Sequence, residues 1–453
     1  MAGKTGGACQ FPSKTSNYQR KSPLKSPSTL LTKDGGRARM AAARKKPCWV
    51  APDGGADHFT ALPLELRAHI AASLPFWQVV QLSVLSRPWR HIHHHAPVVK
   101  IHLDDYAFDL DPSLPGAVDE GAILGLRVAL GRRAQDGVAS KVDALFLRDY
   151  PVATGAGGGY HMPRHAARII ALADARWIRV SVAHAGLNPA PVSWTLDLTA
   201  AARHLQVFGE YHLAPAIAGP GGAALLELFL TQVSLCEWPP CLPSLRSLTL
   251  DDITVEAAFA PAAAWCPLLE HLGVFSTRIE QARVGIRLPL LKSLEMEDVD
   301  VRPHNDFLEP FGEVAIDAPE LEELELRSTT GTTAVYRSLT LRAPRLRHLG
   351  YHNQFVAGGV DIDVGRPGSV RSGSISFESN AEIMCPKMRL CRMQMMRMLE
   401  GLLPELSPED VANAARPHMK LDKYSVEGFE IGEMIPEEKL TCDLSAVMSS
   451  LKV

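Results

Sequence analysis

The amino-acid sequence predicts an α/β chain: a short N-terminal three-helix module, then an irregular leucine-rich-repeat solenoid, then a helical C-terminal cap. Three observations carry this reading. An LxxLxL pattern recurs at LLELFL (225–230), LRSLTL (245–250), LEHLGV (269–274), LKSLEM (291–296), LEELEL (321–326) and LRHLGY (346–351), at spacings of 20, 24, 22, 30 and 25 residues. Before the array, residues 62–97 alternate short helical patterns with proline breaks. After Asn380 the repeats stop, and MRLCRMQMMRMLEGLL (388–403) reads as one methionine-rich helix.

Bulk properties set the frame. The 453 residues are 46% hydrophobic, enough apolar content for two or three folding units of roughly 150 residues each. Lys+Arg 47 against Asp+Glu 50 gives a formal charge of -3, so no overall field draws the chain to nucleic acid or anionic lipid, and neither is expected as a partner. Eight cysteines without a CxxC pair suit neither a disulfide framework nor a four-cysteine zinc site, which points to a reducing compartment, cytoplasm and/or nucleus. No run approaches the 18 or so apolar residues of a membrane helix, and the N-terminus lacks an apolar signal core.

Residues 1–56 are rich in Gly, Ser, Lys and Arg, with Asp34 the only acidic residue before Asp53, and burial offers little to offset the entropy of ordering them. The expectation is a disordered basic tail. An organelle transit peptide and a nuclear signal at RARMAAARKK (37–46) are the alternatives, and Met40 offers a shorter start.

The helical module is placed at 57–100. Leu62, Leu66, Ile70 and Leu74 recur every four residues and put one apolar stripe on a short helix, with Pro63 in its first turn. Pro75 breaks that helix, and FWQVVQLSVL (76–85) forms a second that is apolar on nearly every side and must be buried by something. Ser86 is placed to cap a third, with Trp89 and Ile92 on one face. Three such helices have too small a core to stand alone, so they need a partner surface or a neighbouring domain.

The run LPLELRAHIAASLPFWQVVQLSVLSRPWRHIHHHAP (62–97) resembles an F-box: an LP opening, a helix, a second LP break, a Val/Leu-rich helix and a Ser-Arg-x-Trp-Arg ending. Phe76, Trp77 and Gln78 depart from it where an acidic residue often follows the second LP, and Pro88 replaces a basic residue. The resemblance implies docking on a Skp-type adaptor. The F-box positions are Leu62, Pro63, Leu66, Ile70, Leu74, Pro75, Val79, Val80, Leu82, Leu85 and Trp89, divided between adaptor contact and internal packing.

The solenoid is placed at 101–380. Each LxL turns two side chains to one side of a strand, and stacked strands bury those rows as one core. Pro243, Pro267, Pro289, Pro319 and Pro344, each two residues before a leading leucine, are expected to start the strands, where a missing donor is tolerated. VAID (314–317) and LTLR (339–342) are second alternating runs within repeats, and weaker echoes at VDALFL (142–147) and ARHLQV (202–207) put the beginning of the array near residue 140. The helix at 388–403 is expected to cap the last apolar face, against an alternative as a methionine-rich partner groove, and an acidic, loosely attached tail to follow within 381–453.

Chemical motifs are few. GAGGGY (155–160) between a strand and a helix suggests a nucleotide loop, but Tyr160 stands where a third glycine is needed and Pro163 interrupts the helix start. His91 and His95 share a helical face, yet the nearest further ligands, His102, Asp104 and Asp105, lie beyond Pro97, so no metal and no other cofactor is expected. GxxxxGK[ST], HExxH and GxSxG are absent, which leaves an enzyme reading without named residues. The sharper candidate is the strand face opposite the leucines, where Glu295, Glu297, Glu323 and Glu325, with Phe275 and His352, are expected to project together as an acidic patch for a basic partner segment.

An F-box joined to leucine-rich repeats resembles the F-box/leucine-rich-repeat proteins abundant in plants, and the irregular APxLxxLxL units are similar to those of grass members. That resemblance implies a non-catalytic substrate receptor: the adaptor connects the F-box to cullin and RING subunits, and the repeats hold a protein substrate for ubiquitin transfer. Two alternatives stay open. One is a repeat scaffold for protein binding not coupled to ubiquitination, and the other a nucleotide-binding enzyme using the Gly155–Gly159 loop.

Overall fold

Period-two alternation places both leucines of every LxL on one side of a strand, and only the strands of neighbouring coils can cover them. The structure is a computed structural model. It describes residues 61–85, 87–106, 120–137, 139, 141–149, 162–182, 192–209, 213–235, 241–256, 262–302, 312–329, 334–366, 368–380, 385–416, 418–421, 425–426, 429–430 and 436–450. The basic tail at 1–56, Ser86 and the Gly155–Gly159 loop lie outside the described residues.

The repeat strands form one long sheet. Its parallel part runs, in chain order, through Val98–His102, Ala144–Asp149, Trp177–Val182, His204–Phe208, Glu227–Thr231, Ser247–Asp251, His271–Phe275, Ser293–Glu297, Glu323–Arg327, His348–His352 and Ser372–Asn380. Each strand pairs residue for residue with the next, so Leu248, Leu272, Leu294, Leu324 and Leu349 fall in one row and Leu250, Val274, Met296, Leu326 and Tyr351 in another. Both rows are buried. Burying one such side chain stabilises by about 1.5–3 kcal/mol, and here its cover comes from the adjacent coils.

The array begins earlier than residue 140. VVKIH at 98–102 pairs in register with Ala144–Asp149 and buries Val99 and Ile101 in the same two rows. It contains no leucine, so the LxL pattern does not find it.

The prolines before each leading leucine sit in turns rather than strands. The amide of Leu245 donates to Leu242 O, and the same i to i+3 bond recurs at Leu269, Leu291, Leu321 and Leu346, with the proline in the second position of each turn. Proline's fixed φ suits that position, and the strand starts two residues after the leucine. The far end of the strand is closed differently. Gln232, Asp252, Ser276, Asp298 and Asn353, each directly after a strand, have φ between 46° and 56°. Four are Asp, Asn or Ser, short polar side chains of which Asp and Asn tolerate the left-handed region best.

The opposite side of the solenoid changes along the chain. The first coils carry helices Glu120–Gln135 and Met162–Ala173. Later coils carry strands, with VAID and LTLR inside Glu313–Asp317 and Ala334–Arg342 of a second parallel sheet that also contains Arg283–Arg287 and Phe355–Asp363.

Helix Cys385–Leu402 packs against Phe355–Asp363 and buries Cys391, Met395, Met398, Leu399 and Leu402, while Met393 stays 45% exposed. The chain after it is not a loose tail. Pro436–Asp443 pairs antiparallel with Ser372–Asn380, placing Leu440 and Cys442 in the core, and His418–Leu421 pairs beyond it. The period-two pair Leu440 and Cys442 is the reason, since both are buried, and Leu444, which opens helix Leu444–Ser450, is buried after them. Among the described residues no helix is long and apolar enough to cross a membrane.

One buried amide fastens the capping helix. Gln394 Nε2 donates to Tyr351 Oη at 2.5 Å and to Gln354 O at 3.2 Å, and its Oε1 accepts from the Val356 amide at 3.3 Å. Gln394→Ala strands these buried groups and is expected to lower the unfolding free energy by about 2 kcal/mol in chemical denaturation. Met393→Ala, on the exposed side of the same helix, is expected to stay within about 0.5 kcal/mol of the parent.

Candidate functional site

Two surfaces remain once the core rows are filled: the N-terminal helical module and the strand face opposite the leucines. In the module, helix Leu64–Ser73 follows Pro63, whose carbonyl accepts from the Arg67 amide at 3.1 Å. Leu74 ends it, and Phe76–Leu85 forms the second helix, with the Pro75 carbonyl accepting from the Gln78 and Val79 amides. The third element is split. Arg87–Trp89 is a 3-10 turn, and only Ile92–His95 is α-helical.

This module has a small core of its own, made by Ala71, Val79, Trp89, Ile92 and Ala96, with Ile70, Leu74 and Leu82 packed against it. The predicted stripe therefore divides. Ile70 and Leu74 point inward, Leu62 and Pro75 are half-buried, Pro63 is exposed, and Leu66 is 52% exposed. Val80 packs on the solenoid core instead. Leu85 ends the second helix, and its side chain lies outside the described residues. Two exposed apolar residues were not singled out from sequence, Leu64 at 39% and Val84 at 83%. The signal for Val84 was present in a helix apolar on every side.

Two of the residues that depart from the F-box pattern, Phe76 and Trp77, fasten the module to the first coil. Phe76 is 1% exposed and belongs to the solenoid core, and Trp77 Nε1 donates to Asp105 Oδ2 at 2.9 Å. The histidine run does the same work. His94 Nδ1 lies 2.5 Å from Asp136 Oδ2, and Arg133 Nη1 donates to the His93 carbonyl at 2.6 Å, both partners lying at the end of helix Glu120–Gln135 or just beyond it. The His93 and His94 rings meet edge to face at 4.1 Å.

On the strand face, the register arranges the outward residues in rows. Thr249, Gly273, Glu295, Glu325 and Gly350 form one, and Asp251, Phe275, Glu297, Arg327 and His352 the next. Glu323 is in neither, because it aligns with Ser293 and His348. The four glutamates thus differ from the expected uniform patch. Glu323 is exposed, Glu295 and Glu325 are half-buried, and Glu297 is 5% exposed with Arg327 Nη1 3.8 Å away. Glu325 contacts His348 at 2.8 Å, His352 at 3.8 Å and Arg327 at 3.7 Å. Gly350 permits this, since a Cβ there would collide with the Glu325 carboxylate. Phe275 folds its ring over Gly273, where a Cβ would meet the ring at 2.7 Å. The offset of Glu323 follows from strand register, in which the third residue of each LxxLxL motif, Ser293, Glu323 or His348, forms a row of its own.

Comparison with known proteins agrees with the array. Residues 223–359 match the family model described as FBD-associated F-box protein At5g56370, LRR repeats. No match was found among curated proteins or among solved structures. The match spans all six repeats with the clearest LxxLxL pattern, and together with the solenoid it supports an F-box/leucine-rich-repeat reading with a repeat-based interaction role.

Burial lowers the pKa of His93 to about 4, with His94, His91, Arg133 and Arg132 adding to the effect. Its folded value is below the unfolded value of about 6.5, so the unfolded chain binds the proton first and stability falls as pH drops from 6.5 towards 4. His93→Gln is expected to flatten the pH dependence of the thermal midpoint in that window relative to the parent, with both proteins scanned between pH 7.5 and about pH 4.

Proposed function

We propose that this chain is the non-catalytic substrate-receptor subunit of a Skp/cullin/F-box ubiquitin ligase, working in the cytoplasm or nucleus. The helical module docks on the Skp-type adaptor, which brings the cullin and RING subunits, and the strand face of the repeats holds a protein substrate. The chain then acts by effective concentration: two simultaneous contacts hold a substrate lysine near the charged ubiquitin carrier, and the receptor itself makes or breaks no covalent bond.

The observation that supports this most is the exposure of Leu64, Leu66 and Val84 on a module whose internal core is already closed by Val79, Trp89 and Ile92. A helix pair this small gains little stability from displaying leucines and valine to water, and exposed apolar side chains that the internal core does not need are candidates for a protein contact. Phe76 and Trp77, which the solenoid and Asp105 occupy, are withdrawn from that surface. The adaptor is therefore expected to engage the exposed Leu66 of the first helix and Val84 of the second.

Co-purification of the full chain with a Skp-type adaptor tests this. Leu66→Asp combined with Val84→Asp is expected to weaken the complex at least about tenfold, a loss of about 1.4 kcal/mol, while the thermal midpoint stays that of the parent. If the unmutated chain captures no adaptor, the ligase role is removed and a repeat scaffold uncoupled from ubiquitination takes its place.

A further inference from the structure

The register gathers aromatic rings and cations on the strand face of the early coils. Phe146 and Trp177, on adjacent strands, meet edge to face with ring centres 5.7 Å apart. Arg179 Cζ lies 4.2 Å from the centre of the Phe208 ring, and Phe208 packs on Phe229 at 5.4 Å. These side chains alternate with Leu145, Ile178, Val180, Leu205 and Val207, which already fill the core. The rings are half-buried on the outer face, where a solenoid needs only polar cover.

Charge is graded along the same face. At the outward positions whose side chains are described, the strands from Val98–His102 to Glu227–Thr231 present Lys100, Arg148 and Arg179 against one carboxylate, Glu227, which lies 2.9 Å from His204. The strands from Ser247–Asp251 to His348–His352 present Asp251, Glu295, Glu297, Glu323 and Glu325 against one guanidinium, Arg327. Five strand intervals separate Trp177–Val182 from Ser293–Glu297. At about 4.8 Å each they span about 24 Å, the reach of about seven extended residues.

We infer that this face binds an extended peptide segment of divided polarity. One end carries carboxylates and apolar or aromatic side chains, held over Arg179, Phe208 and Phe229. The other end, about seven residues away, carries Lys or Arg, held over Glu295 and Glu323. The inference rests on the proposal that the repeats hold the substrate, and it names the chemistry of the substrate segment.

A guanidinium lying on a ring keeps its edge N–H groups free to donate to a carboxylate, and the ring beside it accepts apolar surface. Partial burial also lowers the Arg179 pKa, so its solvation is incomplete and an incoming anion finds less water to displace. Nucleic acid fits this face less well. Its phosphates recur at every nucleotide and would be repelled by the acidic coils.

Fluorescence anisotropy with the full chain tests the inference. The probe is a labelled peptide of about twelve residues with an Asp/Phe block at one end and a Lys block at the other, compared with a peptide of the same composition in interleaved order. The block peptide is expected to bind at least about tenfold more tightly. Arg179→Glu, Arg148→Glu and Glu295→Lys are each expected to remove most of that preference. Arg148 is exposed, so the reversal there decides the matter if Arg179→Glu does not fold. Equal binding of the two peptides, a preference unchanged in both Arg148→Glu and Glu295→Lys, or tighter binding of a single-stranded oligonucleotide overturns the inference. Adaptor capture is measured on the same samples. Adaptor capture without peptide preference overturns this inference alone, whereas peptide preference without adaptor capture removes the ligase role and leaves the surface assigned.

Discussion

Everything in this molecule depends on one packing constraint: no coil can bury its own leucines. Leu294 and Met296 are 1% exposed only because Leu272 and Val274 lie on one side of them and Leu324 and Leu326 on the other. A single strand with two apolar side chains gains too little to offset the entropy of fixing its backbone, so stability arises at the interfaces between coils. Register is then strongly determined, since a slip by one residue would turn both leucine rows to solvent and bring the polar rows inside. The open ends of the rows are the remaining liability. At the C-terminal end, Tyr351, Ile375, Leu440 and Cys442 extend the sheet, while helix Cys385–Leu402 lies over the second sheet with Gln394 as its polar fastening.

At the N-terminal end the same problem is met by the helical module. Phe76 inserts into the core beside the first strand, and Val80 packs there too, while Val84, one turn further along the same helix, is exposed. Polar contacts fix the orientation: Trp77 to Asp105, His94 to Asp136, Arg133 to the His93 carbonyl, and Lys100 Nζ to Ser73 O at 3.3 Å. In the proposed receptor role, the geometry would depend on this joint being stiff. A flexible connection would spread a captured segment over many positions and dilute the effective concentration that a tethered reaction needs.

How much of this was legible in the sequence follows from what each residue signals. LxxLxL located the six clearest strands because leucine in the buried rows is a local, repeated pattern. The strand at 98–102 escaped because valine and isoleucine fill the same rows there without a leucine signature. The prolines marked the turns but were assigned to strand starts, a displacement of a few residues that only the recurring i to i+3 bonds resolve. Pro436–Asp443 was obscured by its acidic first half, since Glu437 and Glu438 outweigh the alternation of Leu440 and Cys442. On the candidate site, the glutamates were found together with His352, but not Arg327 or His348. Arg327 and His348 occupy outward positions of the motif, the residue after LxxLxL and its third residue, but their side chains reach the glutamates across neighbouring strands, a contact that no pattern within one repeat states.

Those partners also explain why the two halves of the strand face behave differently. In the acidic coils, Glu325 is held among His348, His352 and Arg327, and Glu297 is buried beside Arg327, so part of the charge is spent inside the face and its geometry is fixed. Exposed Glu323, one register step away, carries the field that reaches solvent. In the early coils, Arg179 rests against a ring rather than a carboxylate, so its charge is oriented without being neutralised. Attraction at one end is therefore of the short-range, stacking-assisted kind, and at the other of the longer-range, salt-screened kind. A face built this way distinguishes segments by the order of their charges as well as by their number, because reversing a segment places like charges together at both ends.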